Sequence, residues 1–138
     1  MTQPEVSFAN DQDVEDALIA GLEAFNDGHT ESSGYKPMQC VLRDDAGKII
    51  GGAMGQILFR WLNIKYVWVD ESIRGTGQGE IIVQTLLDEA KKAGAIAAKV
   101  NTFSFQARGF YEGLGFAVFS TLDGFPPGSA THYMSRKL

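Results

Sequence analysis

The chain holds a single cysteine, Cys40, among its 138 residues. No disulfide can form within it, so a reducing cytoplasm is the expected compartment, and Cys40 itself reads as a small buried strand residue. No apolar stretch reaches the length of a membrane span. The opening stretch MTQPEVSFANDQDVED lacks the basic segment and apolar core of a signal peptide. No membrane partner is therefore expected. Positive charge is scarce too: 12 Lys and Arg stand against 17 Asp and Glu, for a net charge of -5. That balance is wrong for a grip on phosphate backbones, so nucleic acid is not an expected partner. It is compatible with a cationic substrate such as an amine.

What remains is an ordinary soluble composition, 44% hydrophobic and 21% charged, which points to one globular domain over 1–138. EVSF, Glu5 to Phe8, can open as a strand, and Asn10 or Asp11 can cap a helix in which Val14, Leu18, Leu22 and Phe25 recur at helical spacing. Asn26 to Pro37 shows neither period and reads as a mobile loop. MQCVLRD and KIIGGAMGQILF flank a turn with Gly47 at its tight position, and LNIKYVWV is a fourth strand with two unlike faces. GEIIVQTLLDEAKKAG carries an apolar stripe of Ile82, Leu86 and Ala90 with Val83 and Leu87 beside it, and is a helix stopped by Gly94. AIAAKV is a short buried strand, SFQARGFYEGLG a short helix, and FAVFSTL and ATHYMSRKL are closing strands. This order predicts an α/β (α+β) fold: a mixed, mostly antiparallel sheet of about six or seven strands with helices on both faces.

RGTGQGE, Arg74 to Glu80, lies where the fourth strand hands over to that helix. Uncapped amides and the positive end of a helix dipole favour an anion there, and glycines let phosphate oxygens approach the main chain. The spacing does not fit G-x-G-x-x-G, because Glu80 and Ile82 stand where a glycine is needed. Nor does it fit the nucleotide P-loop, because Gly79 is followed by Glu80 and Ile81.

What it does match is Arg-x-x-Gly-x-Gly, and with it the chain resembles the GNAT superfamily of acyl-CoA-dependent N-acetyltransferases. SFQARGFYEGLGF, Ser104 to Phe116, resembles that family's second segment, with Ala107, Tyr111 and the pair Gly115-Phe116 in matching places. The resemblance covers about residues 60 to 120. It implies a sheet splayed between the fourth and fifth strands, and acetyl-CoA as acyl donor with no metal. It further implies cofactor binding by Trp68, Val69, Arg74, Gly75, Thr76, Gly77, Gln78, Gly79, Glu80, Ser104 and Tyr111. The acceptor is then a small-molecule or peptide amine, attacked directly in a ternary complex, and a homodimer is compatible with it. Catalytic roles fall to the Val69 amide, facing the thioester oxygen, and to Tyr111 as general acid to the leaving thiolate; a core aromatic beside Phe110 is the competing reading of Tyr111.

The sequence departs from the family twice. Ser104 stands where Asn is common, and the fourth-strand face that often carries a carboxylate base shows Asn63 and Lys65. A solvated or substrate-shaping role fits Lys65 better than that of a base. His29, Glu31, Asp123 and His132 are candidate substitutes, as is a water chain that leaves pH to select the neutral amine. The weak base set keeps open a second function, a non-catalytic acyl-CoA-binding sensor or accessory module.

Overall fold

A computed structural model describes residues 2–138. The backbone forms two compact units, one ending at Ser32 and one spanning Ser33–Leu138. The first unit contains helix α1, Gln12–Asn26, capped by the Asp11 carboxylate, which accepts the amides of Asp13 and Val14 at 2.9 and 3.3 Å. Asp13 and Glu15 in the first turn suit the helix dipole. The His29 ring stacks on Phe25 with centroids 5.5 Å apart. The strand expected at Glu5–Phe8 does not form: a strand exists only through a partner, and none pairs with it among the described residues.

The second unit is a six-stranded sheet: β1 (Lys36–Arg43), β2 (Ile49–Leu58), β3 (Trp61–Val69), β4 (Ala97–Phe103), β5 (Ala117–Asp123) and β6 (Ala130–Lys137). Their spatial order is β1-β2-β3-β4-β6-β5, and only the β3–β4 pair is parallel. Asp44 builds the β1–β2 turn by accepting the amides of Ala46 and Lys48, while Gly47 takes the left-handed conformation with φ of 85°. The β2–β3 turn is less ordinary. Phe59 and Arg60 both have positive φ, 50° and 64°, which costs a non-glycine residue about 1–2 kcal/mol each. Bonds from Phe59 N–H to Ser33 O and from Ile96 N–H to Arg60 O brace it.

Helix α2, Gln78–Lys92, crosses from β3 to β4 and buries Ile82, Val83, Leu86, Leu87 and Ala90, the stripe its spacing predicts. It lies on Ala53, Leu62, Ile64, Ala98 and Val100, with Met134 from β6 also in the core. Full burial of Leu62, Leu86, Leu87 and Met134 contributes about 1.5–3 kcal/mol each. Helix α3, Arg108–Gly113, shares that face, since Phe110 lies against Gly79 and Tyr111 joins the same cluster. Both helices of this unit thus lie on the same face of the sheet. Among the described residues no helix is long and apolar enough to cross a membrane.

Candidate active site

The parallel pairing of β3 with β4 runs only from Trp61–Ala97 to Ile64–Val100. Beyond that point the strands part, leaving a gap of about 580 Å³. The cause is local. Opposite β2, Gly55 pairs with Ile64 and Met54 with Tyr66, so Lys65 is an extra, unmatched residue. A Cβ at position 55 would collide with the Asn63 carbonyl oxygen, so this bulge requires glycine.

Antiparallel alternation then fixes which amides face the gap. Asp70 N–H donates to Ile50 O at 2.7 Å, so in the same register Trp68 also bonds toward β2. Val67 and Val69 therefore direct their N–H groups away from β2, toward the side that β4 has vacated. Sequence reasoning singled out the pair Trp68 and Val69; the direction of the Val67 amide could not be read there, because facing depends on register.

At the end of β3, Asp70 accepts both the N–H and the hydroxyl of Ser72 and caps a short turn of helix, Glu71–Ile73. These bonds hold the Asp70 carboxyl below its usual range. Arg74 Nε donates to Val69 O at 3.2 Å, and Thr76 Oγ1 to Ile73 O. Gly75 and Gly77 have φ of 75° and 84°, and no atom lies within 4 Å of where a Cβ would stand at either. Gly77 caps α2 without a side-chain bond, so the amides of Gln78, Gly79 and Glu80 lack partners among the described residues. A phosphate oxygen needs such a cradle: free donors, no Cβ in the way, and Arg74 at the rim.

Tyr111 lines the gap from the other wall. Buried Thr102 sets its position by accepting the Ala107 N–H at 3.2 Å at the start of α3. The Tyr111 ring is 6% exposed and packs edge-on against Phe110 and Phe116 at 5.1 and 5.8 Å. Burial pushes its phenol up to about 12.

Other expected residues fall elsewhere. Ser104 Oγ accepts Ala130 N–H at 3.1 Å and Ser104 N–H donates to Ala130 O, so Ser104 stitches β4 to β6 and is not among the gap-lining residues. Gln106, Asn101 and Tyr133 do line the gap; their separation in sequence hid them. His132 Nδ1 pairs with Thr121 Oγ1 at 2.9 Å across β5 and β6. No carboxylate or histidine lines the gap, and Lys65 is its one charged side chain. Among the described residues no His, Cys, Asp and Glu side chains cluster as metal ligands would.

A family model described as Acetyltransferase (GNAT) family matches residues 7–116. A blasticidin-S acetyltransferase of Streptomyces morookaense is 32% identical over 95 residues, 68% of this chain and 70% of that protein. Acetyltransferase Atu2258 of Agrobacterium fabrum is 25% identical over 96% of each chain. A crystal structure of an acetyltransferase from Bacillus cereus superposes with a TM-score of 0.84 at 25% identity, covering 97% of this chain and 98% of the other.

Proposed function

Since the chain belongs to the GNAT acetyltransferase family and is an acetyl-CoA-dependent acetyltransferase, we propose that it transfers acetyl from acetyl-CoA to a primary amine by direct attack in a ternary complex. The observation that carries this reading is the parting of β3 from β4, with Val67 on one wall and Tyr111 on the other, and with the Val69 amide, just beyond the lining residues, turned to the same side by the register. The sequence kinship of the loop Arg74–Glu80 adds the phosphate end.

In this reading Arg74 and the backbone of Gly75, Thr76, Gly77, Gln78, Gly79 and Glu80 hold the pyrophosphate. Val67 pairs with the pantetheine arm as an added strand would. The Val69 N–H donates to the thioester oxygen as negative charge builds there, a contact worth about 10²–10³ in rate. Trp68 lines the arm with its side chain, and Gln106 takes the place foreseen for Ser104. Bond making and breaking balance simply: nitrogen bonds to the acyl carbon, carbon and sulfur separate, and the proton lost by nitrogen is matched by one gained at sulfur.

Tyr111 faces the departing sulfur. With its phenol near 12 and an ordinary thiol near 8.5, complete proton transfer is uphill by about 3.5 units, or about 5 kcal/mol. Its role is thus a strong hydrogen bond to the developing thiolate, with the proton itself delivered through water. No base lines the gap, so the amine attacks in its uncharged form.

The test is an acetyl-CoA turnover screen over polyamines, aminoglycosides, amino acids, peptides and blasticidin S, reading released thiol. Acetyl-CoA binding without turnover of any amine would refute the reading in favour of an idle acyl-CoA-binding module. We extend the proposal to a single functional domain working in the cytoplasm as a homodimer. Light scattering that gives the 15.0 kDa of one chain removes the dimer.

A further inference from the structure

The bulge that opens the gap also borders a second cavity. On the sheet face opposite α2, a hollow of about 330 Å³ is lined by Tyr35, Gln39, Met54, Gln56, Lys65 and Tyr66, among others. Lys65 and Tyr66 line both hollows. The register explains why. Lys65 is the unmatched residue between the pairs Gly55–Ile64 and Met54–Tyr66, so it stands at the step where β3 bends from one space into the other. Across both cavities Lys65 is the one charged side chain among the described residues, and neither holds a carboxylate. Gln39 sits opposite Met54 and Pro37 opposite Gln56 in the β1–β2 ladder, which brings the two amide side chains to the same face of the sheet. Tyr66 is 70% exposed and Tyr35 58% exposed, which leaves their rings uncovered beside Lys65.

We propose that this second hollow is the acceptor subsite and that it takes a weakly basic amine bearing an anionic group, which Lys65 recognises. The inference rests on the acetyl-transfer reading above and adds the substrate class. Two arguments converge on it. First, the charge of the site is opposite to that of the protein. A chain with a net charge of -5 presents one ammonium and no carboxylate at the place where the amine must sit. Lys65 is exposed, and a polyamine or aminoglycoside, with several like charges, would meet it with no carboxylate lining either hollow to pair with. An amine that carries a carboxylate or phosphate turns the same lysine into a partner. Second, with no base lining the gap, the acceptor must arrive uncharged. A peptide-like α-amine titrates near 7.7–8.0, so about a third is neutral at pH 7.5; a lysine-like amine near 10.4 is about one part in a thousand neutral. The amides of Gln39 and Gln56 and the ring faces of Tyr35 and Tyr66 suit the planar amide groups of such a compound.

Thiol release from acetyl-CoA is followed with four acceptors: alanyl-alanine, its C-terminal amide, its phosphonate analogue and spermidine. Wild type, Lys65→Gln and Lys65→Arg are compared. The free acid should exceed the amide by about tenfold or more in kcat/KM, chiefly through KM, and spermidine should be the slowest. Lys65→Gln should erase the preference by raising KM for the acid alone, with kcat within about twofold, and Lys65→Arg should restore it. The phosphonate tells whether the subsite reads any anion or a carboxylate geometry. A wild-type preference for spermidine or for the amide overturns the inference while acetyl transfer stands. An equal effect of Lys65→Gln on acid and amide overturns it as well. Acetyl-CoA binding with no amine turned over removes both readings together.

Discussion

Replacing Tyr111 by Phe deletes one hydroxyl and leaves a ring of nearly the same volume between Phe110 and Phe116. Among the described residues that hydroxyl has no protein hydrogen-bond partner, so folding at neutral pH should change by no more than about 1 kcal/mol. The rate should change far more. A hydrogen bond to a charged group is worth about 1.5–3 kcal/mol, so losing the one to the developing thiolate should lower kcat about 10- to 100-fold with cofactor affinity retained. A second readout follows from the phenol raised to about 12. The unfolded phenol titrates near 10, so between there and 12 the native state holds more protons than the unfolded one. Its contribution is intact below pH 10 and is lost as pH climbs toward 12. Wild type should therefore lose about 1.3 kcal/mol between pH 9 and pH 11 that the Phe variant keeps. The assays are steady-state thiol release, calorimetry with acetyl-CoA, and urea melts of both proteins across that pH range. An unchanged kcat, or a variant that melts early and binds no cofactor, would refute the reasoning and make Tyr111 a core residue.

Val69→Pro removes an amide that faces the gap and should lower kcat about 10²-fold or more with the sheet intact by circular dichroism, whereas Trp68→Pro, which cuts a bond to β2, should chiefly lower the melting temperature. Gly77→Ala meets no neighbour but is held at φ of 84°, so it should cost about 1 kcal/mol of strain and raise KM for acetyl-CoA; an unchanged KM would dissociate the loop from the pyrophosphate. Gly55→Ala must push a Cβ into the Asn63 carbonyl, and soluble protein of wild-type stability would show that the bulge is not obligatory. The pH profile of kcat/KM should rise with the titration of whichever amine is supplied, and a plateau common to acceptors of different basicity would reveal a protein base.

Residue pattern exposed most of the architecture, because α2 has a full apolar stripe and the β1–β2 turn has its glycine. It failed where the determinant is not local. Phe59 and Arg60 carry no turn signature; their positive φ values are braced by distant partners, Phe59 N–H donating to Ser33 O and Ile96 N–H donating to Arg60 O. Glu5–Phe8 has strand-like residues but no neighbour. Spacing and kinship singled out the loop Arg74–Glu80 and Tyr111, which the structure places at the start of α2 and beside the gap. The facing of Val67 was not legible, since it follows from a pairing with β2 that runs back to Ile50. Ser104 kept its place in the motif but spends its hydroxyl on Ala130, and the nearby Gln106, which no pattern singled out, lines the gap instead.

The order β4-β6-β5 places the last strand in sequence between two that precede it. A chain made from its amino end presents β4 and β5 before the segment that must join them exists, so one wall of the cleft has no lateral support until Ala130–Lys137 leaves the ribosome. Truncation within that segment should therefore cost far more than its eight residues. It would leave two open sheet edges able to recruit strands from other molecules. The cleft wall formed by β4 is thus braced only once β6 has paired with both of its neighbours.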